Sequence, residues 1–387
     1  MTTKTGSAKF NKNLFRLDVR AYSMIIAIIA IWTFFSFMDD SFLTARNFSN
    51  LFVQMSVTSI LAIGMVLVLV AGQVDLSVGS LVGLTGGIAG ILHVWYGWDT
   101  VPVVIVTILL GAMIGLIQGW WVAYRAVPAF IVTLGGMMIF RGALQGITKS
   151  ETIAPLKESF KALGQGFILP FMGYIVAGVA IVLTGIFLLR QRQSRVKFGF
   201  SVAPVWMTGL IWLGISALIF VVVSVMNAYQ GIPIPFMVVV FLAIVFTFIA
   251  KKTVFGRQVY AIGGNSEAAV LSGINVKRKI MLIFVLCNTL AAVAGLILTA
   301  RVNAATVGAG TMYELDAIAA CVIGGTSLMG GVGTIPGAMI GALVMASLDN
   351  GMSILNIDSF WQLIVKGSIL VFAVWFDIYS RSKAKNS

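Results

Sequence analysis

The 387-residue chain is 59% hydrophobic and only 10% charged, with a mean hydropathy of +1.01. So few charges cannot coat a soluble domain of this size, which leaves a helical protein that crosses a membrane many times. A net charge of +13 would suit a nucleic-acid binder, but the Lys and Arg residues gather beside apolar runs, as the positive-inside rule places them, and that excludes nucleic acid as a partner.

A basic tail over residues 1–20, with Lys4, Lys9, Lys12, Arg16 and Arg20, comes first. Apolar runs of about 17–25 residues, the length that crosses a bilayer core, then mark spans. They fall at 21–38, 50–71, 77–96, 101–124, 127–148, 167–189, 203–226, 232–250, 280–300, 316–331, 334–349 and 360–378. The expected fold is all-α and polytopic, with 10–12 transmembrane helices in one membrane domain over 21–378. A short basic tail, 379–387, closes the chain. With the N-terminus inside, most of the Lys and Arg fall on the inner face. Arg46, Arg141, Lys149, Lys157, Lys161 and Arg301 fall on the outer side and Lys366 inside a span. The runs 316–331 and 334–349 are short and glycine-rich, as broken or re-entrant helices are when packed within protein.

An internal echo suggests an inverted repeat, a common transporter architecture. Asp75, Gly83 and Thr85 recur at the same offsets as Asp316, Gly324 and Thr326, and GAMIG occurs at 111–115 and 337–341. Asp75 stands before LSVGS at a helix start, where N-capping is its first role and contact with a substrate its second; Ser77 accompanies it. Asp316 mirrors Asp75 in the second half. Arg141 and Lys366 lie within reach of snorkelling to the interface, although intramembrane charges also carry function. No Gly-Lys dipeptide occurs, so there is no phosphate-binding loop. The single histidine, His93, and the two cysteines, Cys287 and Cys321, offer no metal site and no disulfide framework. No cofactor is expected.

The loop 251–279 is polar and longer than a plain connector needs. Asn265 or Ser266 can cap a helix near 266–272, Glu267 suits its positive end, and Gly273 can adopt the left-handed stop. Ala268, Ala269, Leu271 and Ile274 would give it a small apolar face. Alone, such a helix is unstable. It must be held by its own loop or by a docked cytoplasmic protein.

VFGRQVYAIGGNSEAAVLSGINV (254–276) resembles the cytoplasmic coupling loop of permease subunits from bacterial ABC sugar importers of the ribose/xylose group. VDLSVGS (74–80), FLTARNFSNLF (42–52), VPAFIVTLGGMMIFRG (127–142) and ELDAIAACVIGGTSLMGGVGTIPGAMIGALVMASLDNGMS (314–353) resemble the same family. The resemblance is strongest to its xylose-type members. Ribose-type members are shorter, and this chain carries about one extra helix pair near 167–226. The resemblance implies a permease subunit, not an enzyme, forming the pathway for a monosaccharide, D-xylose first, across the bacterial inner membrane. It implies two permease subunits, cytoplasmic ATPase subunits, a periplasmic or extracellular sugar-binding protein, and both termini in the cytoplasm. It implies contact with the ATPase through Gly263, Gly264, Asn265, Ser266, Glu267, Ala268, Ala269, Leu271, Ser272 and Gly273. Asp75, Ser77, Asp316 and Lys366 are candidates for the pathway or for helix caps. The alternatives are a permease of the same group for ribose or several sugars, and a self-contained secondary sugar transporter. The latter usually needs intramembrane carboxylates for ion coupling. Here Asp75, Glu314, Asp316 and Asp349 are expected at span ends.

Overall fold

The computed structural model describes residues 19–200, 202 and 204–385. Lys4, Lys9, Lys12 and Arg16 of the basic tail lie outside them. Fifteen α-helices run α1 Val19–Met38, α2 Ala45–Val70, α3 Val78–Gly90, α4 Thr100–Tyr124, α5 Ala129–Thr148, α6 Glu158–Gln165, α7 Pro170–Lys197, α8 Val205–Asn227, α9 Ile234–Lys252, α10 Val254–Gly264, α11 Ser266–Leu271, α12 Val276–Val302, α13 Tyr313–Ile323, α14 Ile335–Ile354 and α15 Ser359–Lys385. A π-turn, Ile91–Trp95, extends α3. A two-residue antiparallel pair, β1 Phe167–Ile168 and β2 Ile232–Pro233, closes the base of the α7–α8 hairpin.

Among the described residues, nine helices are long and apolar enough to cross a membrane, and shorter apolar stretches lie at Met24–Met38 in α1 and Ser359–Trp375 in α15. The chain is therefore an all-α polytopic membrane protein. The expected span 316–331 is not continuous: α13 ends at Ile323, and residues 324–334 form a turn that carries positive φ at Gly325, Gly330 and Gly331. The expected span 334–349 is longer than its sequence limits suggest, because Thr334 caps α14 with its hydroxyl (3.1 Å from Gly337 N) and the helix runs on to Ile354. Asp349 consequently lies inside a helix rather than at its end.

α2 and α12 form the centre and run in opposite directions. α2 packs on α13 and α14; α12 packs on α3 and α4. Asn47 near the start of α2 exchanges hydrogen bonds with Asn350 near the end of α14 (2.8 and 3.0 Å), so those two helices are antiparallel. α4 is likewise antiparallel to α12, with Gly111 against Asn288 and Gly119 against Met281. α3 leans on α5 as α13 leans on α15. The unit α2–α3–α4 thus recurs, inverted, as α12–α13–α14. The sequence echo marks the same two regions but not equivalent positions. Gly83 and Thr85 sit within α3, whereas Gly324 and Thr326 follow the end of α13. The first GAMIG packs on α12 and the second on α13.

In both units the second helix is reached through a stretch of non-helical chain: 71–77 before α3 and 303–312 before α13. α13, 11 residues long, is part of a broken crossing, whereas α3 with its π-turn is long enough to cross. The α7–α8 hairpin, the extra pair anticipated from sequence, is peripheral. Its helices touch mainly each other, with Trp212 Nε1 donating to Ile181 O (3.1 Å). His93 is buried and structural: Nδ1 lies 2.8 Å from Trp98 O, and Nε2 accepts from Lys157 N.

Candidate functional site

The loop 251–279 folds into two helices, α10 and α11. Thr253 caps α10 through its hydroxyl, 3.2 Å from Gly256 N. Gly263 and Gly264 are its last residues rather than loop. Asn265 is extended, and its Oδ1 accepts from Ala268 N (2.9 Å) to start α11, with Ser266 first and Glu267 in the first turn. Ser272 N–H and Oγ both bond Ala268 O (3.0 and 2.8 Å), and Gly273, at φ +79°, donates to Val270 O and stops the helix. The apolar face expected from Ala268, Ala269, Leu271 and Ile274 is split. Ala269 is buried and Ile274 half-buried, but Ala268 is exposed, Leu271 is 89% exposed and Val270 57%. The stop at Gly273 leaves too little helix to bury all four.

α10 carries the contacts to the membrane helices. Tyr260 Oη donates to Gly333 O (2.7 Å), and burial raises its phenol pKa, which keeps it a donor. Gly263 lies so close to the end of α2 that a Cβ there would stand 1.6 Å from Val70 O and 2.7 Å from Gly331 N. Gly331 N itself donates to Val70 O (2.9 Å). A Cβ on Gly330 would meet Gly263 O at 2.7 Å and Gly72 N at 3.2 Å. One helix end therefore touches the chain at the start of 71–77 and the turn 324–334 together.

A fully buried polar cluster occupies the centre. Asp75 Oδ1 accepts from Ser77 N (2.8 Å) and Ser77 Oγ (2.6 Å), and Oδ2 lies 3.4 Å from Asn288 Nδ2. Gln118 joins through Ser77 Oγ (3.0 Å from its Nε2) and Asn288 (3.1 Å). Asp75 fixes the turn before α3 and bonds no first-turn amide of that helix. Ser77 occupies the N-cap position without a side-chain cap bond.

Asp316 and Lys366 meet. Lys366 Nζ lies 3.1 Å from Asp316 Oδ2 and 2.9 Å from Asp349 Oδ1, joining α13, α14 and α15. Lys366 therefore turns inward rather than snorkelling. Arg141 does the same, donating from Nη1 to Val307 O (2.9 Å) and Ala309 O (3.0 Å) and so pinning the chain before α13 to α5. Asp75 and the Asp316–Lys366 pair form separate clusters.

Tyr260, Gly331, Gly333, Gln118, Asn288, Asp349 and Glu314 escaped the sequence reading as site residues. Gln118 and Asn288 carried a usable signal, since a lone amide in an apolar run needs a buried partner. The pairing of Tyr260 with Gly333 carried none, because it depends on how two distant segments pack.

The family model described as branched-chain amino acid transport system / permease component matches residues 47–374. The chain is 48% identical to the xylose transport system permease protein XylH of Haemophilus influenzae, over 95% of this chain and 98% of that one. It is 46% identical to XylH of Escherichia coli, over 95% and 94%. The ribose import permease protein RbsC of Escherichia coli is 34% identical over 97% of this chain and 99% of its own. No solved structure matches the chain.

Proposed function

The chain belongs to this permease family, and from that premise we propose that it is the membrane-spanning subunit of an ATP-binding-cassette importer that passes D-xylose through the bacterial inner membrane. The observation that carries the reading is 46–48% identity to two xylose permeases along nearly the whole chain, against 34% for a ribose permease. The chain performs no reaction of its own. A separate ATPase supplies the energy from the cytoplasm, a sugar-binding protein outside delivers the sugar, and two copies of this subunit assemble around the path. Both termini, α10 and α11 are cytoplasmic.

The geometry supports the role given to α10 and α11. α11 presents Val270 and Leu271 to solvent, as a docking surface does, while α10 rests on the break before α3 and the turn after α13. Movement of a docked ATPase would be transmitted through Tyr260 and Gly263 to both.

Proteoliposomes test this. The chain with its ATPase, binding protein and ATP should accumulate xylose, with ribose competing weakly; the chain alone should not, with or without an ion gradient. Gradient-driven uptake by the lone chain would overturn the importer reading in favour of a secondary transporter.

A further inference from the structure

A cavity of about 610 Å³ opens on the flank of the molecule between the start of α3, the middle of α5 and the start of α13. Its size suits a small ligand. Its wall combines Glu314, Gln145, Thr311 and Ser80 with Met137 and Met138. Glu314 is the second residue of α13 and is only 7% exposed. Among the described residues no cation lies within ion-pair distance of it and no other side chain bonds it. Arg141, on the same wall, donates to the carbonyls of Val307 and Ala309 while its charge still acts on Glu314, whose carboxylate also accepts from its own backbone N–H.

A carboxylate at the start of a helix is commonly explained by the helix dipole alone. That account leaves Gln145 and Ser80, which flank the same space and bond nothing there, without a role. The cavity also lies where α3 and α13, the helices entered from the non-helical stretches 71–77 and 303–312, approach each other: a Cβ on Gly79 would collide with Glu314. Irregular backbone and ionisable groups at membrane depth are kept where they are buried in protein or line a path for substrate or water. We propose that this cavity is part of the sugar path, and that Glu314 and Gln145 bind the hydroxyls of the passing monosaccharide. This rests on the permease reading. The chemistry suits a neutral polyol: a carboxylate accepts from vicinal hydroxyls, an amide both donates and accepts, and methionine packs on a sugar's C–H face. The cavity opens sideways past Met138 and Met312, both exposed; its wall is mostly apolar, with Leu76, Met137 and Leu315 as well, and an ionisable Glu314 at membrane depth is kept from lipid. The second copy of the assembled transporter closes it.

The test uses the full transporter, with its ATPase and binding protein, in proteoliposomes. Glu314→Ala should lower ATP-dependent xylose uptake about tenfold or more, the loss of a hydrogen bond to a charged group. Glu314→Gln should retain part of it and alter the preference among pentoses and hexoses, while the complex assembles as in wild type. A purely structural Glu314 would change abundance and leave the sugar preference of the surviving transporter unaltered, which overturns the inference. An independent arm uses Gln145→Cys, read against buried Cys287 and Cys321. A charged, membrane-impermeant thiol reagent should label it, and xylose with ATP should slow the labelling. No labelling would place Gln145 outside any aqueous path and overturn the inference even if the Glu314 variants fail to fold. An inactive wild-type complex would sink the permease reading and this inference with it. An active wild type with unaffected variants would sink this inference alone.

Discussion

At the residue scale, the buried polar groups set the stakes. Lys366 holds Asp316 and Asp349 from two other helices. Lys366→Met leaves the buried Asp316 carboxylate and the half-buried Asp349 carboxylate unpaired beside each other; breaking a fully buried ion pair from one side costs about 3–5 kcal/mol, and the partial exposure of Asp349 lowers that. A large fall in the thermal transition of the detergent-purified protein is expected, with substantial recovery when Asp316→Asn and Asp349→Asn are added. Asp75→Ala strips the partner from Ser77 N–H, about 1–3 kcal/mol for an unpaired buried group, while Asn288 Nδ2 keeps Gln118 Oε1 and Phe284 O. It should lower the same transition, whereas Ser77→Ala should lower it less, since it removes one hydroxyl and leaves the backbone N–H at that position bonded to Asp75 Oδ1. These partners were only half legible in sequence. That Asp75 and Lys366 were unusual in an apolar chain could be read directly. That Lys366 would meet residues 17 and 50 positions earlier could not, because hydropathy records which residues avoid water and not which of them meet.

At the element scale, the local rules were legible where they were local. Asn265, Glu267 and Gly273 announced the start, polarity and stop of α11, because capping depends on residues a few positions apart. The burial of α11 was not legible: Leu271 points out because of where α10 sets the helix down, which no periodicity over six residues can report. Leu271→Asp and Glu267→Arg should leave the amount of protein in the membrane unchanged and reduce ATPase pull-down together with uptake. For Glu267→Arg the helix-dipole loss is only about 0.3–1 kcal/mol, so folding should survive. Normal pull-down with both changes would remove α11 from the interface. Tyr260→Phe deletes only the bond to Gly333 O. It should keep the ATPase bound yet lower the sugar imported per ATP hydrolysed, measured as the ratio of uptake to phosphate release.

At the scale of the whole molecule, the all-α polytopic class follows from composition and run length, whereas the twelve apolar runs exceed the nine helices among the described residues that are long and apolar enough to cross. The break within 316–331 was visible only as a short, glycine-rich segment; 334–349 looked the same yet forms a full helix, since a sequence window cannot separate a half-crossing from a poor full one. The inverted order of α2–α3–α4 and α12–α13–α14 emerges from packing; the residue matches that first suggested it fall on different turns. Two copies should be captured by a bifunctional maleimide bridging Met138→Cys in native membranes, and a monomer in the assembled transporter would contradict the pairing.

The contact of Gly263 with Val70, Gly330 and Gly331 bears on timing. In the proposed importer, two separately controlled segments could open together by chance, and a path open at both ends would dissipate the sugar gradient. Here one helix end, at Gly263, abuts the end of α2 at Val70 and the turn at Gly331, so a displacement of α10 reaches both. Fluorescent reporters at Gln73 and at Met329 should therefore change in one step, with a common rate and a common nucleotide dependence. Two resolvable steps would mean that the segments move independently despite their shared neighbour.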